Sequence, residues 1–181
     1  LGYRGRPGRP LCERQGYFAG TDADRARDLM EAFADDEIDA VFCLRGGYGT
    51  LRILPLLDFE AIERHPKILL GFSDLSLLLD TVSRRCGFVT FHGPGPHQLV
   101  RERISEFTLS SLLRAVGRRA RPRAFAAGYT EETVERLAPG VATGRLAGGN
   151  LTVLASAIGT PYAPSFQDRI FFFEEVAEAP Y

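Results

Sequence analysis

Ser73 lies in the stretch Leu70-Gly71-Phe72-Ser73-Asp74, between an apolar run, Ile68 to Phe72, and a helix-like run, Leu75 to Cys86. A hydroxyl at such a strand-to-helix turn sits beside helix-start amides that stabilise an oxyanion, which is the setting of a nucleophilic serine. Serine followed by aspartate is equally a good helix cap, so a second element is needed to make a site. Arg45-Gly46-Gly47-Tyr48-Gly49, a glycine-rich turn after the preceding apolar segment, supplies it. If the two apolar segments run parallel, both turns emerge at one sheet edge. The Asp74 amide is then one candidate oxyanion donor, and Gly46 or Gly47 the other. The same glycines would serve a tight turn or a phosphate cradle, but Gly-Gly-Tyr-Gly fits neither the dinucleotide nor the P-loop pattern.

Glu174 and Glu175 follow the aromatic run Phe171-Phe172-Phe173, and strand alternation sends their side chains to opposite faces. Adjacent acids at a strand end are ordinarily solvated, and adjacency alone does not make a glycosidase pair. His65, His92 and His97 show no metal-binding spacing, so each reads as structural or surface.

The elements that must position these groups alternate along the chain. Thr21 can cap a helix over 22–34, with Asp22 and Asp24 in its first turn and Ala26, Leu29, Met30 and Phe33 on one stripe. Ile38 to Leu44 is short and nearly all apolar, as a strand covered on both faces must be. Leu51, Leu54 and Leu57 suggest a helix made irregular by Pro55, and Asp58 can cap a short helix through Arg64. A strand over 67–72, a helix over 74–85 stopped at Gly87, and a strand over 88–91 follow.

Strand, helix, strand, helix, strand with short links implies right-handed crossovers and a three-layer α/β domain, whose ligand cleft lies beyond the carboxyl ends of the strands. A further helix is expected over 104–116 and a linker through the Arg-, Ala- and Pro-rich stretch 118–128. Past Pro139-Gly140, a helix over 151–158 and a strand over 169–173 read as the start of a second domain. The expected organisation is thus an α/β domain over 1–117, a linker region over 118–139, and the beginning of a smaller domain over 140–181.

Composition narrows the classes. A chain of 181 residues buries roughly 70% of its unfolded surface, enough for a real core. With 45% hydrophobic and 25% charged residues it reads as an ordinary globular protein. The net charge of -1 gives no general attraction for polyanions, and the local cluster Arg114, Arg118, Arg119, Arg121 and Arg123 reads as a solvated helix end. Cys12, Cys43 and Cys86 form neither a Cys-x-x-Cys pair nor a disulfide framework, which suits a reducing cytoplasm. No apolar run reaches the roughly 20 residues that span a bilayer, and no nucleic-acid or membrane partner is expected. The first residue is not Met, so the natural protein is expected to begin upstream.

Six strings in order are more specific than any one alone. They are Gly16-Tyr17-Phe18-Ala19-Gly20, Arg45-Gly46-Gly47-Tyr48-Gly49, Gly71-Phe72-Ser73-Asp74, Thr90-Phe91-His92-Gly93-Pro94, Gly148-Gly149-Asn150-Leu151 and Phe173-Glu174-Glu175. Together they closely resemble the LD-carboxypeptidase family of serine peptidases, which includes the microcin self-immunity branch. The resemblance implies a class I glutamine amidotransferase-like, flavodoxin-like N-terminal domain and a smaller, mostly β C-terminal domain. It implies a cytoplasmic hydrolase of cell-wall recycling that removes terminal D-alanine from a murein tetrapeptide by a Ser-His-Glu triad, without metal or cofactor.

By position Ser73 matches the nucleophile, Glu174 the triad acid, and Asp74 with Gly46 and Gly47 the oxyanion region. Glu175 departs mildly from the usual Glu-Asp pair. Arg45 is the candidate cation for the substrate carboxylate, and Tyr48 shares that loop. The family's triad histidine lies well downstream of the acid, and none of His65, His92 or His97 matches it. The chain therefore looks truncated at both ends, without the family's first strand and helix, and is expected to be inactive alone. A homodimer of the complete protein is left open. The alternatives are a microcin-immunity-type hydrolase of peptidyl or aminoacyl nucleotides, and a non-catalytic α/β module that binds an anionic ligand.

Overall fold

The computed structural model describes residues 3–101, 104–117, 135–177 and 179. The linker stretch 118–128 and most of the arginine cluster lie outside them. Helix α1, Asp22–Ala34, starts at a reciprocal cap: the Thr21 side chain accepts from the Asp24 amide, and the Asp24 carboxylate accepts from the Thr21 amide. Its stripe buries Ala26 and Phe33. Strand β1, Ala40–Phe42, is shorter than its apolar run, and the chain then turns through the glycine loop into α2, Thr50–Ile53. Pro55 sits in a 3₁₀ turn, Leu54–Leu56, and Asp58 caps α3, Phe59–Arg64, by accepting from the Ala61 amide at 2.9 Å.

Strand β2, Ile68–Gly71, occupies the centre of a parallel sheet, pairing Val41 with Leu69 on one side and Gly71 with His92 on the other. Helix α4, Ser76–Cys86, connects it to β3, Phe91–His92. The strand expected over 88–91 is thus shifted. Phe88 instead packs beside Phe33 with ring centroids 6.5 Å apart, and the Thr90 hydroxyl donates to the Leu79 carbonyl. These side-chain ties hold the segment against the core before it can join the ladder. Helices α5, Pro96–Arg101, and α6, Glu106–Val116, follow; the sequence pattern showed only the second.

A second parallel pair joins β4, Arg145–Asn150, to β5, Arg169–Glu174, through α7, Leu151–Ser156. Their register runs from Arg145 opposite Arg169 to Asn150 opposite Glu174. The sequence pattern missed β4 because Gly148 and Gly149 read as loop. Both have the positive φ that suits glycine, and a Cβ at Gly149 would lie 2.3 Å from the Ser76 hydroxyl. The absent side chain lets β4 lie directly on α4.

Helix α4 is buried nearly all round, on Leu77, Leu78, Leu79 and Val82 but also on Ser76, Asp80 and Thr81. A helix of that kind has structure on several sides. It packs on α3 and β2 and also on β4 and α7, so Ala157 shares one apolar core with Phe33, Ile62 and Leu69.

Candidate active site

Ser73 has φ of 57°, in the left-handed region that non-glycine residues seldom enter. A conformation of this sort costs about 1–3 kcal/mol and persists only where its surroundings fix it. Phe72 is extended, and the Leu75 amide returns to the Phe72 carbonyl at 3.2 Å, so the chain folds sharply as it leaves β2. Gly71 admits the turn: a Cβ there would lie 2.8 Å from that of Leu75. The Ser73 residue remains partly exposed at the carboxyl end of the central strand.

The glycine loop reaches this turn, as parallel strands require. A Cβ placed on Gly46 would lie 2.7 Å from the Ser73 Cβ and 3.0 Å from its Oγ. One oxygen of the buried Asp74 carboxylate accepts from both the Thr50 amide, at 2.9 Å, and the Thr50 hydroxyl, at 2.7 Å. Asp74 therefore caps α2 and ties the serine turn to the far end of the glycine loop.

Beneath that loop, Arg25 donates to the Gly49 carbonyl and pairs with Asp22, which also receives Arg52 at 2.7 Å. The guanidiniums of Arg25 and Arg52 lie 4.8 and 5.1 Å from the Phe18 ring centroid. Hydrogen bonding by Arg52 leads the effects that hold the Asp22 carboxyl below its ordinary range. Arg45 and Tyr48 are exposed on the loop, where Arg45, Gly46, Gly47, Tyr48, Thr50 and Asp74 help line a cleft of about 180 Å³. Tyr48 meets Tyr17 edge-on, with centroids 6.4 Å apart.

The acids reach the same end of the molecule through Asn150. Its amide donates to the buried Ser76 hydroxyl at 2.9 Å, three residues beyond Ser73, and it stands opposite Glu174 in the β4–β5 register. Glu175 is fully engaged: it accepts from Asn150 Nδ2 and the Thr152 amide at 2.9 Å, and from the Val176 amide at 3.0 Å. Hydrogen bonding led by the Thr152 side chain, then the Val176 and Thr152 amides, lowers its carboxyl to about 2. With Asn150, whose Oδ1 accepts from the Val153 amide, it caps α7.

Glu174 differs. Its Oε1 is buried and has no hydrogen-bond partner among the described residues, with His92 Nε2 4.0 Å away. Burial pushes the His92 imidazole down, and the Glu174 charge opposes that.

The other histidines have structural or surface settings. His97 Nδ1 lies 2.9 Å from the Leu44 carbonyl and its ring stacks on Phe72, while His65 is at the surface 4.0 Å from Asp36. The residue pattern alone does not point to Thr50, to Ser76 or to the approach of His92 to Glu174. The signals for Thr50 and Asn150 were their places next to glycine strings; Ser76 gave none. Among the described residues no group of three His, Cys, Asp or Glu side chains is placed to hold a metal ion.

Residues 1–93 match the LD-carboxypeptidase N-terminal domain, and residues 143–181 match the LD-carboxypeptidase C-terminal domain. The chain belongs to the LD-carboxypeptidase family. Among LD-carboxypeptidase relatives, a probable murein peptide carboxypeptidase of Bacillus subtilis is 39% identical, over 100% of this chain and 56% of its own length. A murein tetrapeptide carboxypeptidase of Pseudomonas aeruginosa is 35% identical, over 96% of this chain and 57% of its own. The chain thus spans just over half the length of these LD-carboxypeptidase relatives.

A muramoyltetrapeptide carboxypeptidase from Oxalobacter formigenes superposes with a TM-score of 0.75 at 32% identity, over 91% of this chain and 54% of that one. Microcin C7 self immunity protein MccF, as a mutant with adenosine monophosphate, superposes at 0.77 over 94% of this chain and 58% of that one. At 24% identity the latter comparison concerns the fold alone. The mixed α/β architecture with parallel sheets is accordingly the LD-carboxypeptidase fold.

Proposed function

We propose that the whole protein is a serine-type LD-carboxypeptidase that releases terminal D-alanine from murein tetrapeptides. Three features taken together support this reading: the strained, partly exposed Ser73 turn, the Gly46 loop in contact with it, and Glu174, which stands opposite Asn150, whose amide donates to Ser76 just past Ser73. In this reading an imidazole held by Glu174 takes the Ser73 hydroxyl proton as Oγ attacks the carbonyl carbon of the L,D bond. The family resemblance puts that imidazole downstream of Glu174.

The tetrahedral oxyanion would lie between the Asp74 amide and a Gly46 or Gly47 amide. Collapse breaks the C–N bond, and the imidazolium protonates the departing amine of D-alanine. Water, deprotonated by the same imidazole, then hydrolyses the Ser73 acyl ester. Arg45, exposed at the cleft, would pair with the substrate's terminal carboxylate. Tyr48 would flank the peptide on the same loop.

The compartment we assign is the cytoplasm. Three free cysteines suit reducing conditions, and no helix among the described residues is long and apolar enough to cross a membrane.

The test is D-alanine release from murein tetrapeptide by the whole protein, together with labelling by a fluorophosphonate. Release and labelling at Ser73, both abolished in Ser73→Ala, are expected. A whole protein that neither releases D-alanine nor takes up the label would overturn the reading in favour of a binding module. Cleavage of an aminoacyl nucleotide in place of the tetrapeptide would move it to the microcin-immunity branch.

A further inference from the structure

The string Thr90-Phe91-His92-Gly93-Pro94 has no part in the chemistry above, yet the structure brings its histidine to the acid. We propose that His92 is a positioning residue for Glu174: its Nε2–H donates to Glu174 Oε1 and fixes the carboxylate so that Oε2 faces the triad imidazole. The proposal rests on the reading of Glu174 as the triad acid.

Three observations converge on it. First, His92 pairs with Gly71 across β3 and β2, so it leaves the sheet at the same edge as Ser73, two residues past Gly71. Second, Glu174 Oε1 is a buried acceptor without a donor among the described residues. Leaving such an oxygen unsatisfied carries the full desolvation penalty of a charged acceptor, so a donor within reach has a reason to be there. His92 Nε2 lies 4.0 Å away, and closing by about 1 Å would give an ordinary hydrogen bond. Third, the imidazole is held on the correct face. It packs edge-on against Phe172 with centroids 5.5 Å apart, and Phe172 and Glu174, two residues apart on β5, point the same way.

The His92 side chain is only 24% exposed, and burial favours its neutral form. A neutral imidazole with its proton on Nε2 is a single, directed donor. A carboxylate held on one oxygen loses rotational freedom and presents the other in a fixed direction. That orienting service is what the acid of a serine triad performs for its own imidazole, moved one step outward.

The experiment compares variants of the whole protein in D-alanine release. His92→Phe keeps a ring against Phe172 and removes the donor; His92→Gln restores an N–H of similar reach. We expect His92→Phe to lower kcat about 10- to 100-fold, by analogy with groups that orient metal-ligating histidines, with KM little changed. His92→Gln should recover most of the loss. In the double variant with Glu174→Gln, His92→Phe should add nothing further, because it acts through that carboxylate.

Wild-type activity in His92→Phe, or equal loss in both His92 variants, would overturn the proposal while leaving Glu174 as the triad acid. Wild-type activity in Glu174→Gln would instead overturn the underlying assignment. Should the substitutions prevent folding, nitrogen-detected NMR of the intact protein decides: the proton on Nε2 of His92 supports the proposal, and the proton on Nδ1 overturns it.

Discussion

The amide and the hydroxyl of Thr50 converge on one oxygen of the Asp74 carboxylate, at 2.9 and 2.7 Å. Asp74 follows Ser73 and Thr50 follows the glycine loop, so these bonds set the distance between the two turns that meet at the site. Removing the acceptor orphans two buried donors. Asp74→Ala should destabilise the whole protein by about 2–4 kcal/mol, whereas Asp74→Asn, which keeps an acceptor oxygen, should lose less than half of that. Urea unfolding of the two variants measures the difference; equal losses would show that the caps are not what Asp74 contributes.

Ser73 stores backbone strain, and glycine would release it. Ser73→Gly should be more stable than Ser73→Ala by about 1 kcal/mol, since alanine retains the left-handed penalty and glycine does not. Both should lose fluorophosphonate labelling. A Ser73→Ala protein as stable as Ser73→Gly would mean that the turn relaxes without consequence.

Gly46 has no room for a methyl group, because the atoms it would strike belong to a residue already held in an unusual conformation. Gly46→Ala should slow labelling of Ser73 at least about 10-fold while the thermal midpoint moves by only a few degrees, the pattern of a misplaced reacting group. Unchanged labelling kinetics would separate the loop from the chemistry.

Glu175 carries the pH dependence that can be read with its sign. Its folded carboxyl, at about 2, lies below the unfolded value of about 4.3, so it stabilises the fold fully above that value. The contribution is lost as pH falls from about 4.3 through about 2. The stability advantage of wild type over Glu175→Gln should therefore be constant above pH 5 and shrink toward pH 2, measured by denaturant unfolding at several pH values. An advantage that grows on acidification would have the wrong sign for the hydrogen bonds described.

Where a local rule dominates, the chain could be read directly. The cap at Thr21, the irregular turn at Pro55 and the Asp58 cap follow from residue types within a few positions of each other, and the contact of the Ser73 turn with Gly46 follows from the parallel pairing of two apolar strands. Alternation also separated Glu174 from Glu175, and their partners differ accordingly. What escaped depends on distant chain. Strand β4 is built on glycines because α4 lies against it, and the buried Ser76 hydroxyl is satisfied by Asn150, seventy-four positions away. Strand β3 is displaced because core packing at Phe88 outweighs pairing.

Asn150 joins the segments that carry Ser73 and Glu174, by its amide to Ser76 and by its side chain to Glu175. A hinge cannot pass between Ser73 and Glu174 without straining that joint, so any opening motion of the intact protein must pivot elsewhere. Hybrids that graft the 143–181 segment from another relative should inherit a working alignment only when glycine at 149 and asparagine at 150 travel with it.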